Sequence, residues 1–256
     1  MNMVTIQNGK LVLSEGPAFL IVQLGVGGTG GNVLLSLVKM LRGFEVASVP
    51  VACRYLIADG AVVKEHNMEN QNFLLKDVGK KKVDVLADRY YRLMNIPIMK
   101  YRDYLESADA IHRLVQNIKR DDEILILLGC VDNNRTRQVL HQFFQEYEGD
   151  LIYIDSGNDM ISGQVVMGAK NKNGVLLPPV CERYPDMLED KDMFKSEESC
   201  QANYKRYPQL QITNEKAADA VVNMVHNLLR YKETDVYQVT FSIKTMSQRA
   251  WFIGAV

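Results

Sequence analysis

The chain has 256 residues, enough for one large α/β domain or one domain with a modest appendage. Apolar side chains make up 47 % of it and the formal charge is −1, with no Lys/Arg run longer than Lys80-Lys81-Lys82. A sizeable core is therefore available, and nothing electrostatic points to duplex nucleic acid or an anionic membrane surface.

The longest apolar stretches, such as Ala18–Leu24, are strand-length and too short to span a bilayer. The N-terminus lacks the basic and apolar regions of a signal peptide, so a cytoplasmic protein is expected. Cys53, Cys130, Cys181 and Cys200 form no CxxC pair, which favours free thiols over a disulfide framework.

In chain order, apolar runs at 4–6 and 11–13 flank Asn8-Gly9 and predict a hairpin, because both turn residues tolerate positive φ. Ala18–Leu24 suits a buried parallel strand and runs into Gly25-Val26-Gly27-Gly28-Thr29-Gly30-Gly31. A helix follows, with Val33, Leu34, Leu37, Val38 and Leu41 on one face and Gly43 as its stop. A strand over 55–58 ends at Asp59. Next come a helix over 77–93, a strand over 96–101, a helix over 108–118 and a strand over 123–128 ending at Gly129-Cys130. A helix over 136–147 and a strand over 151–154 complete the alternation expected of a parallel sheet with right-handed crossovers.

The pattern then changes. Segments 162–168 and 175–177 read as antiparallel strands. Residues from about 178 to 213 hold four prolines and dense charge without a period, as a mobile functional loop would. Asn214 is placed to cap a helix over 215–230, and 236–243 with 250–253 alternate like a closing hairpin. The expectation is a single α/β domain over 1–256. A Rossmann-like core spans 1–160, and antiparallel strands, loop, helix and hairpin span 161–256.

A strand, then Gly25-x-Gly27-Gly28-x-Gly30, then a helix, is the nucleotide-binding fingerprint in its required context. Its glycines make the turn, admit phosphate to the backbone and let helix and strand pack. Asp59 lies 29 residues after Gly30, beyond the usual spacing of about 20, so an insertion intervenes. Taken alone, Asp59 reads better as a strand-end acid capping a turn than as a ribose acceptor.

The residues beyond Asp59 separate ATP from NAD. Asn67-Met68-Glu69-Asn70-Gln71, then Gly79-x-x-Lys82, then Cys130-Val131-Asp132-Asn133-x-x-x-Arg137 stand in a fixed order. This set resembles the ThiF/MoeB/HesA family, relatives of ubiquitin-activating enzymes, and within it the ThiF-like proteins of bacterial PRTRC gene sets. The resemblance covers about residues 20–158 and is looser beyond. It implies that Gly25, Gly27, Gly28 and Gly30 cradle ATP, Asp59 holds the ribose, and Asn67 and Lys82 contact phosphates. Asn70, Gln71 and Asn133 would complete the site, with Asp132 holding Mg²⁺. It also implies adenylation of the C-terminal carboxylate of a small ubiquitin-like, β-grasp protein such as ThiS or MoaD, and a homodimer. Residue by residue, plainer readings stand beside these: Lys82 as a solvated helix start, Asp132 as a helix N-cap, Asn67 as a turn residue.

Three departures bear on activity. Asn70 stands where the family has an arginine, and Asn offers no bidentate fork to phosphate. No arginine precedes Arg42, although the family often supplies one from an N-terminal segment. Arg54, Arg89 and Arg135 are the candidates for compensation. Third, the two CxxC pairs that hold structural zinc in many relatives are missing, so no zinc is expected. Cys200 lies where relatives keep a cysteine that forms a thioester; it is a candidate nucleophile or an idle loop thiol, and its neighbours Glu197 and Glu198 oppose thiolate formation.

Three functions remain open at this point. One is an ATP/Mg²⁺-dependent adenylyltransferase, with possible thioester transfer to follow. Another is a catalytically weakened nucleotide- or partner-binding module. The third is an NAD-dependent oxidoreductase. No nucleic-acid or membrane partner is expected.

Overall fold

The computed structural model describes residues 3–191, 194 and 210–254. Strands β3 (Ala18–Leu24), β4 (Cys53–Ala58), β5 (Ile98–Tyr101), β6 (Glu123–Gly129) and β7 (Leu151–Asn158) form the parallel part of a nine-stranded sheet, in the order β7-β6-β3-β4-β5. Beyond β7 the sheet turns antiparallel through β8 (Ser162–Asn171), β11 (Val236–Ser242) and β12 (Ser247–Phe252), with β9 (Gly174–Leu177) paired to β8. A separate three-stranded sheet joins β1 (Val4–Gln7), β2 (Lys10–Leu13) and β10 (Glu233–Thr234). The parallel strands are buried on both faces, which is why β3 and β6 read as almost unbroken apolar runs.

Helices cover both faces. Helix α1 (Gly28–Val46), α2 (Lys82–Met94) and the long C-terminal helix pack one apolar layer around Ile21, Ile57, Leu86 and Val221. Helices α3 (Ala108–Ile118) and α4 (Asn134–Glu146) pack the other around Leu125, Phe143 and Tyr153. This is the Rossmann-like α/β sheet with antiparallel additions that the alternating pattern predicts. Among the described residues no helix is long and apolar enough to cross a membrane.

Several element boundaries differ from expectation for physical reasons. Helix α1 runs through Gly43 to Val46, because a helical glycine in open space is tolerated. Helix α2 begins at Lys82 instead of Asp77. Asp77 sits in a separate 3-10 turn, where its carboxylate accepts from the Leu74 N–H and pairs with Arg89, and Gly79 at φ +84° breaks the path. Part of the expected loop forms two short helices, α5 (Val180–Arg183) and α6 (Asp186–Glu189). The C-terminal helix, α7, spans Gln211–Tyr231, so Asn214 lies inside it, fully buried, and caps nothing.

Candidate functional site

The strand order reverses between β3 and β6, and ligands of open α/β sheets bind beyond the carboxyl ends of strands at such a switch point. A cavity of about 380 Å³ lies there, within the size range of small-molecule sites.

Its floor is the turn from β3 into α1. Gly25 has φ +89°, and a Cβ on it would stand 2.4 Å from the Cys130 carbonyl oxygen. Only glycine lets the ends of β3 and β6 approach this closely. A Cβ on Gly30 would stand 2.1 Å from the Gly25 carbonyl oxygen, so this position sets how deeply α1 settles onto β3. Gln23, buried in β3, locks the turn: its Nε2 donates to the carbonyls of Gly25 and Gly30, each at 2.8 Å, and its Oε1 accepts from the Tyr55 hydroxyl. No side chain caps the start of α1 and no acid lies in its first turn. Its unpaired N–H groups therefore face the cavity with the positive end of the helix dipole, an arrangement that favours an anion.

Asp59 fastens the same turn from β4. One carboxylate oxygen accepts from the Val26 N–H at 2.9 Å, the other from the Ala61 N–H at 2.8 Å. Each oxygen keeps a second lone pair, so the residue both holds the turn and lines the cavity. Lys82, 8 % exposed at the start of α2, reaches the cavity and donates to Gln71 Oε1 at 3.0 Å. The Gln71 amide in turn approaches Gly27.

On the β6 side, Asp132 is exposed and lines the cavity. The N-cap of α4 is Asn133, whose Oδ1 accepts from the Thr136 N–H at 2.8 Å. Arg137, the last residue of that motif, is a structural lock. It pairs with buried Asp155 at 2.9 Å and donates to the carbonyls of Val131 at 2.7 Å and Ser156 at 3.0 Å. Burial opposes its charge, but Asp155 outweighs burial and holds the guanidinium protonated.

Of the residues singled out in the sequence, Gly25, Gly27, Gly28, Asp59, Gln71, Lys82, Asp132 and Asn133 share this one cavity. Gly30 lies beneath it. Asn67 and Asn70 are not among its lining: Asn67 is buried and its Oδ1 accepts from the Lys64 N–H at 2.8 Å, a turn-holding role. Arg54, Arg89 and Arg135 do not reach the cavity either; they bind Glu123, Asp77 and Gln138. Among the described residues the lining thus contains two cations, Lys82 and Arg137, against Asp59, Asp103, Glu106, Asp132 and Asp159.

Cys200 lies outside the described residues. Burial pushes Cys53, Cys130 and Cys181 up to about 12, so these three thiols stay protonated at neutral pH.

Residues that sequence reasoning missed are polar and buried. Gln23 was legible as the one polar side chain in an apolar strand. The Thr29 hydroxyl lies 3.1 Å from both Asn158 Oδ1 and Asn214 Oδ1, joining the ends of α1, β7 and α7. No local signal marks that cluster.

A model of the ThiF family matches residues 17–252. The chain belongs to the ThiF family. No curated protein sequence matches it. Solved structures of similar fold include PaaA, with a TM-score of 0.61 at 16 % identity over 92 % of this chain and 64 % of that one. Escherichia coli MccB with ATP aligns at a TM-score of 0.59 and 15 % identity, again over 92 % and 64 %. MccB from the same organism with AMPCPP and MccA aligns at 0.60 and 14 % identity, over 94 % and 65 %. These identities speak to the fold, and this ThiF-family chain spans a little under two thirds of each neighbour's length.

Proposed function

We propose that the cavity binds ATP and that the protein adenylates the C-terminal carboxylate of a small protein or peptide. One observation carries this reading: the glycine turn, Asp59, Lys82 and Asp132, scattered over more than a hundred residues, line a single cavity at the switch point of a ThiF-family sheet. The nucleotide-bound and MccA-bound forms of MccB support the same reading by analogy of fold. A substrate carboxylate oxygen attacks the α-phosphorus, its bond to the bridging oxygen breaks, and pyrophosphate leaves an acyl-adenylate. The chain contributes position and charge: α1 N–H groups and Lys82 toward phosphates, and Asp59 toward the ribose.

The residues present fit a divalent cation only in part. Among the described residues no group of three His, Cys, Asp or Glu side chains converges as a metal site. Asp132 would therefore share Mg²⁺ with phosphate oxygens, as is usual for this ion. When bound, the ion would neutralise the charge developing on the leaving pyrophosphate. A β-grasp partner, thioester transfer through Cys200 and a homodimer belong to this same proposal.

ATP–pyrophosphate exchange with the cognate carboxylate substrate tests it. Exchange that collapses in Asp132→Ala is the expected result; exchange unaffected by that change defeats the assignment. A second reading, a nucleotide-binding module without turnover, is favoured by the charge balance. Arg137 is committed to Asp155, and Arg54, Arg89 and Arg135 point elsewhere. Calorimetric ATP binding without exchange would select it, and tighter binding of NAD than of ATP/Mg²⁺ would select an oxidoreductase.

A further inference from the structure

A second cleft, of about 830 Å³, lies between the 3-10 turn before α2, the outer side of α2 and the end strand β5. Its charge is unlike that of the chain as a whole. Lys76, Lys80, Lys81, Arg89, Arg92, Lys100 and Arg102 face Asp77, Asp84 and Asp88, a local excess of four positive charges on a protein of net charge −1.

The three acids are all engaged. Asp77 pairs with Arg89, Asp84 with Lys100 at 3.4 Å and Arg102 at 2.9 Å, and Asp88 with Lys100 at 2.8 Å. Lys81 Nζ donates to the Gly60 carbonyl at 2.6 Å. Lys76, Lys80 and Arg92 are exposed and have no carboxylate partner among the described residues. The surplus charge thus sits on Lys76, Lys80, Lys81 and Arg92, and the three exposed ones, Lys76, Lys80 and Arg92, break no ion pair by meeting an anion.

Large apolar side chains are exposed in the cleft, at Leu93, and just before Lys76 in the chain. Leu75 is 69 % exposed, Leu93 65 % and Leu74 51 %; Leu93 lines the cleft and the other two adjoin Lys76. Strand β5 ends the sheet, so its outer edge offers backbone groups with no strand beside them among the described residues. Exposed apolar side chains rimmed by polar and charged ones suit a protein-docking surface.

We propose that this cleft docks an acidic, partly apolar surface of a partner protein, outside the nucleotide cavity. Interleaved carboxylates disfavour a nucleic-acid backbone, which presents uninterrupted negative charge and would meet Asp84 and Asp88 at close range. A second copy of this chain placed symmetrically would set two surplus-positive clefts against each other, which is repulsive. An acidic protein surface carries discrete carboxylates that can stand opposite Lys76, Lys80 and Arg92 and clear of Asp84 and Asp88, and its apolar part can cover Leu93. The cleft adjoins the nucleotide cavity through neighbouring residues: Lys81 lines one and Lys82 the other. The docking proposal does not depend on what that cavity binds.

The test uses the full chain and a fluorescent peptide of alternating Glu and Leu, with an oligonucleotide of equal charge as competitor. Binding by the wild type is expected to weaken steeply between about 0.05 M and about 0.5 M salt. The triple variant K76E/K80E/R92E should bind at least roughly tenfold more weakly. K76Q/K80Q/R92Q should fall between the two, and both variants should keep the circular dichroism spectrum and ATP binding of the wild type. Absence of peptide binding by the wild type overturns the proposal, as does equal binding by the charge-reversed variant. Tighter binding of the oligonucleotide would assign the cleft to nucleic acid. A wild-type dimer that the triple variant converts to monomer would assign it to a second copy.

Discussion

Two glycines in one helix should respond to alanine with opposite signs. Gly43 lies in α1 with open space where a Cβ would go, so Gly43→Ala gains helix propensity of about 0.8 kcal/mol. Gly30→Ala gains the same propensity, but its Cβ would stand 2.1 Å from the Gly25 carbonyl oxygen and 3.0 Å from Gln23 Nε2. The first contact is backbone, which cannot swing aside, and overpacking of this kind costs about 1–3 kcal/mol. Shifting the Gly25 carbonyl also weakens the bond from Gln23, worth about 1 kcal/mol. The net expectation is a loss of about 1–3 kcal/mol for Gly30→Ala, or several degrees in Tm at about 2–4 °C per kcal/mol. Urea unfolding followed by circular dichroism reads both variants, and calorimetric titration reads ATP affinity, which should fall only for Gly30→Ala. If Gly30→Ala matches the wild type in stability, the close packing of α1 on the turn is not what demands glycine there.

Lys82→Ala should weaken ATP binding roughly 10- to 100-fold with little change in stability, since about 1.5–3 kcal/mol attends loss of a charged donor; unchanged calorimetric affinity would remove Lys82 from the site. Arg54→Met should cost about 2–4 kcal/mol at neutral pH by leaving the Glu123 carboxylate buried and unpaired. That cost should shrink in acid. Burial alone would raise Glu123, but Arg54 and the Arg120 N–H outweigh it and hold the carboxyl below its usual value. Its stabilisation is therefore complete above the ordinary carboxylate range, near pH 4.3, and is lost as pH falls through the lowered value. Urea midpoints at neutral pH and near pH 3 would show whether wild type and Arg54→Met converge. Arg137→Lys should destabilise the chain by about 2–4 kcal/mol, because one ammonium cannot replace a guanidinium bound to Asp155 and two carbonyls at once; a change below about 0.5 kcal/mol in the same assay would refute the lock.

The elements that local chemistry specifies were legible in the sequence. Runs such as Ala18–Leu24 and the 3.6-residue spacing of Val33, Leu34, Leu37 and Val38 encode a strand and a helix within a few residues. The glycine turn between them was legible for the same reason, since the positive φ of Gly25 and the close approaches at Gly25, Gly28 and Gly30 demand the residue type. The alternation of strands and helices then implied the parallel sheet, while the strand order, and with it the switch point where the cavity lies, came from the tertiary structure.

What one residue does to another far along the chain was decided only by the tertiary structure. Asn214 reads as a helix cap from its neighbours, yet it is buried against Thr29 and Asn158. Arg137 reads as part of a nucleotide motif, yet Asp155 claims its charge. Asp132 and Asn133 each suit an N-cap, and packing at the end of β6 gave that place to Asn133. Propensity, period and turn preference act over one or two helical turns. The partner of a buried polar group is set by sheet register and helix docking, which bring together residues more than a hundred positions apart.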